Sequence, residues 1–400
     1  MFEKNLDVVI DEATWPTKAA PAFIRSGAGQ QLIDIPAALL LLGSVTTPAA
    51  GSLSSPARFW AWVRYFVALH TTRDFRITMP FSDLDPHQKG ILSDDFGVAM
   101  STQWLSDRLG GFVDLVDGRK FMLQFAGMMR RMPRGARKVG PSKAPDYVAL
   151  DSNGRWHVLE CKGTQSGRSA RNGFLQRAIQ QKSVIDIVGR MRGQRLGAGL
   201  AISHENDRRR SQLRIVDPDP DEEPLLKLDG RAQDDTVKYA RRLSVARSLG
   251  VIGFSRLATE LALPSEEDLK QGLGVVDLLL PSERAALRID TKYRSSRAKD
   301  QLDEVPLRQF ELNGEIFLGK ITTLKVPELR EVYGVSSIKI RQGVKRELVR
   351  ELRSDDNLAR KRVEDKIDAY VKSDGLVTSK GVRSRSISYG GVFRSDIAFE

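Results

Sequence analysis

The sequence predicts an α/β protein, and three observations carry that expectation. Short β-forming runs bounded by turn residues (147–150, 156–159, 197–203 and 212–216) alternate with segments of helical apolar spacing (92–109 and 174–188). A chain of 400 residues with 28% charged residues has an ordinary soluble composition and enough length for a large core in two or three domains. The net charge of +12 is unevenly spread, gathered in two basic runs and followed by one acidic stretch.

Residues 1–90 mix Pro-rich and Gly-rich connections with apolar segments at 35–42 and 59–69, and are expected to form a helical N-terminal region. Trp60, Trp62 and Tyr65, with Arg64 and Arg73 nearby, have the chemistry to stack on bases, but aromatic residues at such spacing more often belong to a core. Residues 92–109 read as a helix capped by Ser93 and stopped by Gly110 and Gly111. A strand is expected within 112–125, broken at Asp117 and Gly118. Residues 127–143 then carry six basic side chains (Arg130, Arg131, Arg134, Arg137, Lys138, Lys143) and no acid, while 162–214 carry twelve basic residues against three acids. Such charge suits a phosphate backbone.

Between the basic runs, the pairs of β-forming residues flank Ser152, Asn153 and Gly154. This is a hairpin pattern in which Gly154 takes the left-handed position of a three-residue loop. Asp151 then faces Arg155, and equal steps outward bring Asp146 opposite Glu160. Opposed side chains sit about 5 Å apart at Cβ, where two carboxylates repel and a divalent cation relieves the repulsion. Because side chains alternate along a strand, Lys162 shares the face of Glu160 while Cys161 points into apolar packing. Two carboxylates and an ammonium are equipment for hydrolysing a phosphodiester with a hard, oxygen-liganded ion, Mg2+ or Mn2+. Asp146 and Glu160 are the expected ligands, with the Cys161 carbonyl oxygen completing the protein set. Lys162 is expected to position or help deprotonate the attacking water and to offset transition-state charge.

Pro145, Asp146, Glu160 and Lys162, followed by Gly163 and Thr164, resemble the PD-(D/E)xK nuclease superfamily, relatives of the restriction endonucleases. The resemblance covers residues 90–215 or so. It implies a restriction-endonuclease-like mixed central sheet flanked by helices in αβββαβ order, and metal-dependent cleavage of DNA in prokaryotic antiviral defence or restriction. A catalytically inactive subunit of the same fold, binding nucleic acid or assembling a defence complex, is the alternative. The resemblance also implies an acid from the first helix, for which Asp94 and Asp95 are nearest, and a polar residue from the helix after the hairpin, Gln181 or Lys182. Expected nucleic-acid contacts are Arg137, Lys138, Arg168, Arg171 and Lys182. A homodimer or a defence-system protein is the further partner expected, since cutting both strands favours two sites.

After the hairpin, residues 163–168 read as a flexible segment lying against substrate, before a helix at 174–188 and strands at 197–203 and 212–216. Residues 217–235 hold eight acids together with Pro218, Pro220 and Pro224, marking an exposed linker between a nuclease domain (91–216) and a mixed α+β C-terminal domain (236–400). In the latter, 237–263 reads as helix. Asp277, Asp290 and Lys292 repeat the strand, loop, strand arrangement and compete for the active site. Asn313 and Gly314 mark a hairpin, and residues 314–320 resemble a phosphate loop only superficially, because Ile321 stands where Ser or Thr should reach magnesium. Residues 326–371 read as largely helical, with two strands around 377–399. The single cysteine excludes an intramolecular disulfide, and no apolar run approaches the roughly 20 residues of a membrane span, so a cytoplasmic protein without a membrane partner is expected.

Overall fold

Seven strands of a mixed sheet form the centre of the computed structural model, which describes residues 2–46, 64–125, 144–218, 224–229, 233–263, 279, 281–289, 291–355, 360–371 and 375–400. In chain order the strands are β1 (Glu3–Ile10), β2 (Gly29–Asp34), β3 (Asp114–Asp117), β4 (Tyr147–Leu150), β5 (Trp156–Thr164), β6 (Ile185–Ile187), β7 (Arg192–Ala201), β8 (Gln212–Val216) and β9 (Leu226–Leu228). The sheet runs β2-β1-β8-β7-β5-β4-β3, while β6 and β9 pair with each other outside it. Strand β4 pairs antiparallel with both β3 and β5, β5 pairs parallel with β7, and β1 pairs parallel with β8.

The helical reading of residues 1–90 is therefore corrected, because β1 and β2 complete the central sheet. In β1 the side chains of Lys4, Leu6 and Val8 are buried while those between them are not, a period of two that the eight-residue strand shows only weakly in sequence. Helix α1 (Ile35–Thr46) follows and is buried along most of its length. Tyr65 is core, tilted against Phe96, whereas Trp60 and Trp62 lie outside the described residues.

Helix α2 spans Pro86–Leu109, starting before the Ser93 expected as its cap. Asp85 is the cap, accepting from the His87 and Gln88 N–H groups, and Pro86 takes the first helical position, where its missing N–H costs nothing. Ser93 instead donates to the Lys89 carbonyl inside the helix. Asp117 closes β3 and caps a short helix α3 (Gly118–Gln124). Helix α4 (Gly167–Lys182) begins in the stretch read as flexible and ends before the expected residue 188, which lies beyond β6. Strand β8 has the expected bounds.

Helices α2 and α4 cover opposite faces of β5 and β7. A Cβ on Gly163 would lie 1.7 Å from the Ser93 carbonyl oxygen of α2, while one on Gly199 would lie 2.9 Å from atoms of Arg171 and Leu175 of α4. Gly199 pairs with Lys162, and Gly163 pairs with Leu200, so the two glycines face opposite ways.

Helix α5 (Gln233–Ile252) leads to a second, antiparallel sheet of β10 (Arg308–Leu312), β11 (Glu315–Lys325), β12 (Ser337–Lys345), β13 (Leu376–Lys380), β14 (Ser384–Tyr389) and β15 (Phe393–Phe399). Its order is β10-β11-β12-β15-β14-β13. Asn313 and Gly314 make the two-residue turn between β10 and β11, with φ of 52° and 76°, and the supposed phosphate loop is the start of β11. Residues 326–371 contain strand β12 as well as helices, and three strands rather than two close the chain. One hydrophobic cluster runs from Leu6 to Phe399, with Phe2 and Phe399 stacked at 4.2 Å. Residues 217–235 thus do not divide two cores: Asp217 is buried and β9 lies within the stretch. No described helix is long and apolar enough to cross a membrane.

The second acid constellation is corrected too. Residues 281–287 and 291–304 are helical, so Lys292 stands on a helix rather than on the second strand of a hairpin; Asp277 and Asp290 lie outside the described residues. Ala, Leu and Arg favour helix, and Pro281 supplies its first residue, which outweighs a short alternation.

Candidate active site

The hairpin has the register read from the sequence. Tyr147 pairs with Leu159 and Leu150 with Trp156, the Asp151 N–H donates to the Arg155 carbonyl at 2.9 Å, and Gly154 has φ of 74°. Asp151 holds the turn by accepting from Asn153 and Arg155 N–H groups and from the buried His157 ring. These bonds hold its carboxyl below the ordinary range although burial pushes the other way.

What makes a site is that β4 starts at Tyr147 while β5 continues past Leu159 to Thr164. Along that unpaired edge the N–H groups of Cys161 and Gly163 need acceptors. The Asp146 carboxylate takes the first at 2.8 Å, and the Asp94 carboxylate of α2 takes the second. Asp146 reciprocates by donating its own N–H to Glu160 Oε2 at 2.8 Å, and Lys162 Nζ donates to Glu160 Oε1. Two strand ends and one helix therefore converge on Asp94, Asp146, Glu160 and Lys162.

The electrostatics follow from burial. Glu160 is fully buried, and desolvation together with the charge of Asp146 pushes its carboxyl up to about 8. Desolvation lifts Asp146 to about 6 against the pull of the Lys162 ammonium. Burial opposes the charge of Lys162 too, but Glu160 and Asp146 outweigh it and hold the ammonium above its ordinary value. Of the roles expected for Lys162, orienting water and offsetting negative charge fit this state; accepting a proton does not. Desolvation also raises Asp94, moderated by the Gly163 N–H, Lys162 and Arg177.

Among the described residues, no three His, Cys, Asp or Glu side chains form a group able to hold a metal. The donor set is instead two carboxylates beside a strand edge. Cys161 offers only its backbone, since its thiol is buried, pushed well up by burial, and turned to the side of Ser101. A two-carboxylate set of hard oxygens suits magnesium, which commonly keeps several waters and substrate phosphate oxygens as its other ligands.

Asp94, not Asp95, reaches the cluster, because Asp95 accepts from the Tyr65 hydroxyl. Asp117 was not singled out in the sequence, yet it ends β3 beside Asp146, whose carboxyl its charge helps to raise. Its signal in the sequence is the Asp-Gly that ends the strand, which by itself marks a break and not a site residue. Arg177 was missed as well; it lies on α4, close enough to Asp94 to act on its charge.

The expected nucleic-acid contacts divide. Arg168 is half-buried near the start of α4. Arg171 is buried, donating to Gln212 and Asn172, with its guanidinium lowered to about 10 by burial and by Arg214 and Arg168. Lys182 is 1% exposed and is spent on the Asp217 carboxylate at 2.6 Å and the Arg195 carbonyl, so neither it nor Arg171 is a surface contact. Lys182 turns inward to β7 and to Asp217 just past β8 rather than to solvent, which charge alone did not reveal. Arg137 and Lys138 lie outside the described residues. No family model, curated protein or solved structure matches the chain.

Proposed function

We propose that the chain is a metal-dependent phosphodiesterase that cuts DNA, on the restriction-endonuclease-like plan its motif resembles. The observation that carries this reading is the notch beyond the end of β4, where Asp94, Asp146, Glu160 and Lys162 meet. The order α2, β3, β4, β5, α4, β7 supports it, since it follows the αβββαβ order implied by the resemblance once α3 and β6 are set aside as short insertions.

Asp146 and Glu160 would hold Mg2+ or Mn2+, beside the backbone of Cys161. Such an ion supplies Lewis-acid stabilisation of the phosphoryl oxygens and a more acidic water. Lys162, kept as an ammonium by its two carboxylate neighbours, orients the attacking water and offsets the charge gained by the phosphate. Asp94 anchors the β5 edge to α2 and contributes a further negative group at the rim. A role in antiviral defence or restriction, and a homodimer or a partner protein, rest on the resemblance alone.

Plasmid cleavage by the purified protein with magnesium, manganese or EDTA tests the proposal. Cutting is expected with either metal and absent in EDTA. Glu160→Gln is expected to lower it about 1000-fold and Lys162→Ala at least about 100-fold, the range for losing one preorganised charged group. Metal-independent DNA binding with no cleavage by the wild type would instead point to an inactive subunit.

A further inference from the structure

A cleft of about 320 Å³ lies past the C-terminal ends of β5 and β7, between the start of α4 and the turn at Asp207 to Arg209. Gln165 lines it, and both the Nε2 and Oε1 atoms of its amide are buried without a hydrogen-bond partner among the described residues. Buried amides in folded proteins are nearly always satisfied, so an orphaned one on a cleft wall marks a place for a ligand with polar oxygens. Gly167 and Arg168 bring the N-terminus of the 16-residue α4 to the same wall; no side chain caps this helix, so its first N–H groups and positive dipole end face an incoming anion.

The charges around the cleft are mostly positive, three guanidinium groups against one carboxylate. Arg168, Arg208 and Arg209 line it and form no ion pair among the described residues. Their neighbours behave differently: Arg210 pairs with Asp74 at 3.3 Å, and Arg76 holds the turn by donating to the His204 carbonyl at 3.0 Å. Asp207 is the one acid on the wall, and its carboxylate accepts from the His204 N–H at 2.8 Å, tying the turn that presents the two arginines. Behind the wall, Arg171 is buried on neutral amides with no carboxylate, which adds to the positive field.

We infer that this cleft takes a backbone phosphate of a DNA strand, with the Gln165 amide, the first turn of α4 and the Arg208 and Arg209 guanidinium groups around it. The inference rests on the phosphodiesterase reading for the direction of the strand. Gln165 follows Lys162 by three residues, just past the end of β5, so the cleft continues from the edge that carries Glu160 and Lys162. The substrate is then a polynucleotide held at a second phosphate rather than a small diester.

Binding of a fluorescein-labelled 20-base-pair DNA duplex, read by anisotropy in EDTA across a salt series, tests this. Arg208 and Arg209 are exposed, so Arg208→Ala/Arg209→Ala leaves the fold in place. It is expected to weaken binding about 10-fold or more and to make the log–log salt slope shallower by about 1.8, two contacts at 0.9 each. Gln165→Leu is expected to weaken binding about threefold with the salt slope unchanged, since a neutral group displaces no counterion. Arg350→Ala, an exposed change on the helix Arg346–Ser354, is the control. Unaltered affinity and slope in the double variant overturn the cleft, as does an equal loss in the control. Neither metal nor cleavage enters this readout. A protein that binds through the cleft but never cuts therefore overturns the phosphodiesterase reading alone, and one that cuts and binds equally well without Arg208 and Arg209 overturns the cleft alone.

Discussion

Glu160 shows how one residue can be costly to fold and useful to keep. It is fully buried, beside a second carboxylate, with Lys162 as its cationic neighbour among the described residues, and its carboxyl is pushed up to about 8. A buried carboxylate pair of this kind binds a proton or a cation more tightly than water-exposed acids do. Under the proposed metal dependence, binding of the ion would add to stability by mass action, about 1.4 kcal/mol at tenfold excess over Kd. Thermal melts are expected to rise with added magnesium or manganese in the wild type and to stay flat in Glu160→Gln, while in EDTA the variant melts no lower than the wild type. A wild type indifferent to both metals counts against Asp146 and Glu160 as ligands. This residue pair was legible in the sequence because hairpin register is local: a three-residue loop and a side-chain period of two suffice to set Asp146 opposite Glu160. Asp117 and Arg177 were not legible, because each reaches the region through an element paired or packed far along the chain; Gln165 lay in the segment expected against substrate, but its orphaned amide is visible only in the fold.

At the scale of elements, the site depends on how closely α2 lies on β5. Gly163 and Gly97 allow it: a Cβ on Gly97 would meet the Gly163 N at 2.8 Å, and one on Gly163 would meet Ser93 backbone at 1.7 Å. Neither contact can be relieved by a side-chain rotation, so Gly163→Ala must push the helix off the strand. A loss of about 3 kcal/mol or more in denaturant unfolding is expected, the upper range for overpacking, together with loss of cleavage. Asp94→Asn separates the two effects, since it is expected to keep the fold and lower cleavage about tenfold; a Gly163→Ala protein of wild-type stability would refute the packing argument. Asp85 and Pro86 form the capping pair of α2, but the apolar spacing becomes clear only from Leu92, where Ser93 is the nearest cap residue.

In the whole molecule, the two sheets and α5 meet at Asp114. This buried carboxylate on β3 accepts from the Tyr389 hydroxyl of β14 at 2.6 Å and from the Ser244 hydroxyl of α5 at 2.9 Å. Burial pushes it up to about 6 despite both bonds. A raised carboxyl binds its proton more tightly in the folded state, so the stability it confers is full below the ordinary value near 4 and is lost as pH rises through about 6. The stability of the wild type relative to Asp114→Asn is expected to fall by up to about 3 kcal/mol between pH 4 and 7, measured by denaturant unfolding. A constant difference over that range would place the titration elsewhere. The mixed α/β class, the Asp146–Lys162 hairpin and its register, the turn at Asn313 and Gly314, and the absence of a disulfide framework were all determined by the sequence itself, since each depends on composition or on residues a few positions apart. Only the tertiary structure decided that β1 and β2 finish the central sheet, that Lys182 is spent on Asp217, that Asp94 rather than Asp95 faces Lys162, and that one core joins residues on both sides of the acidic stretch. These outcomes depend on which distant segments exclude water from one another, and charge and period along the chain carry no record of that partner.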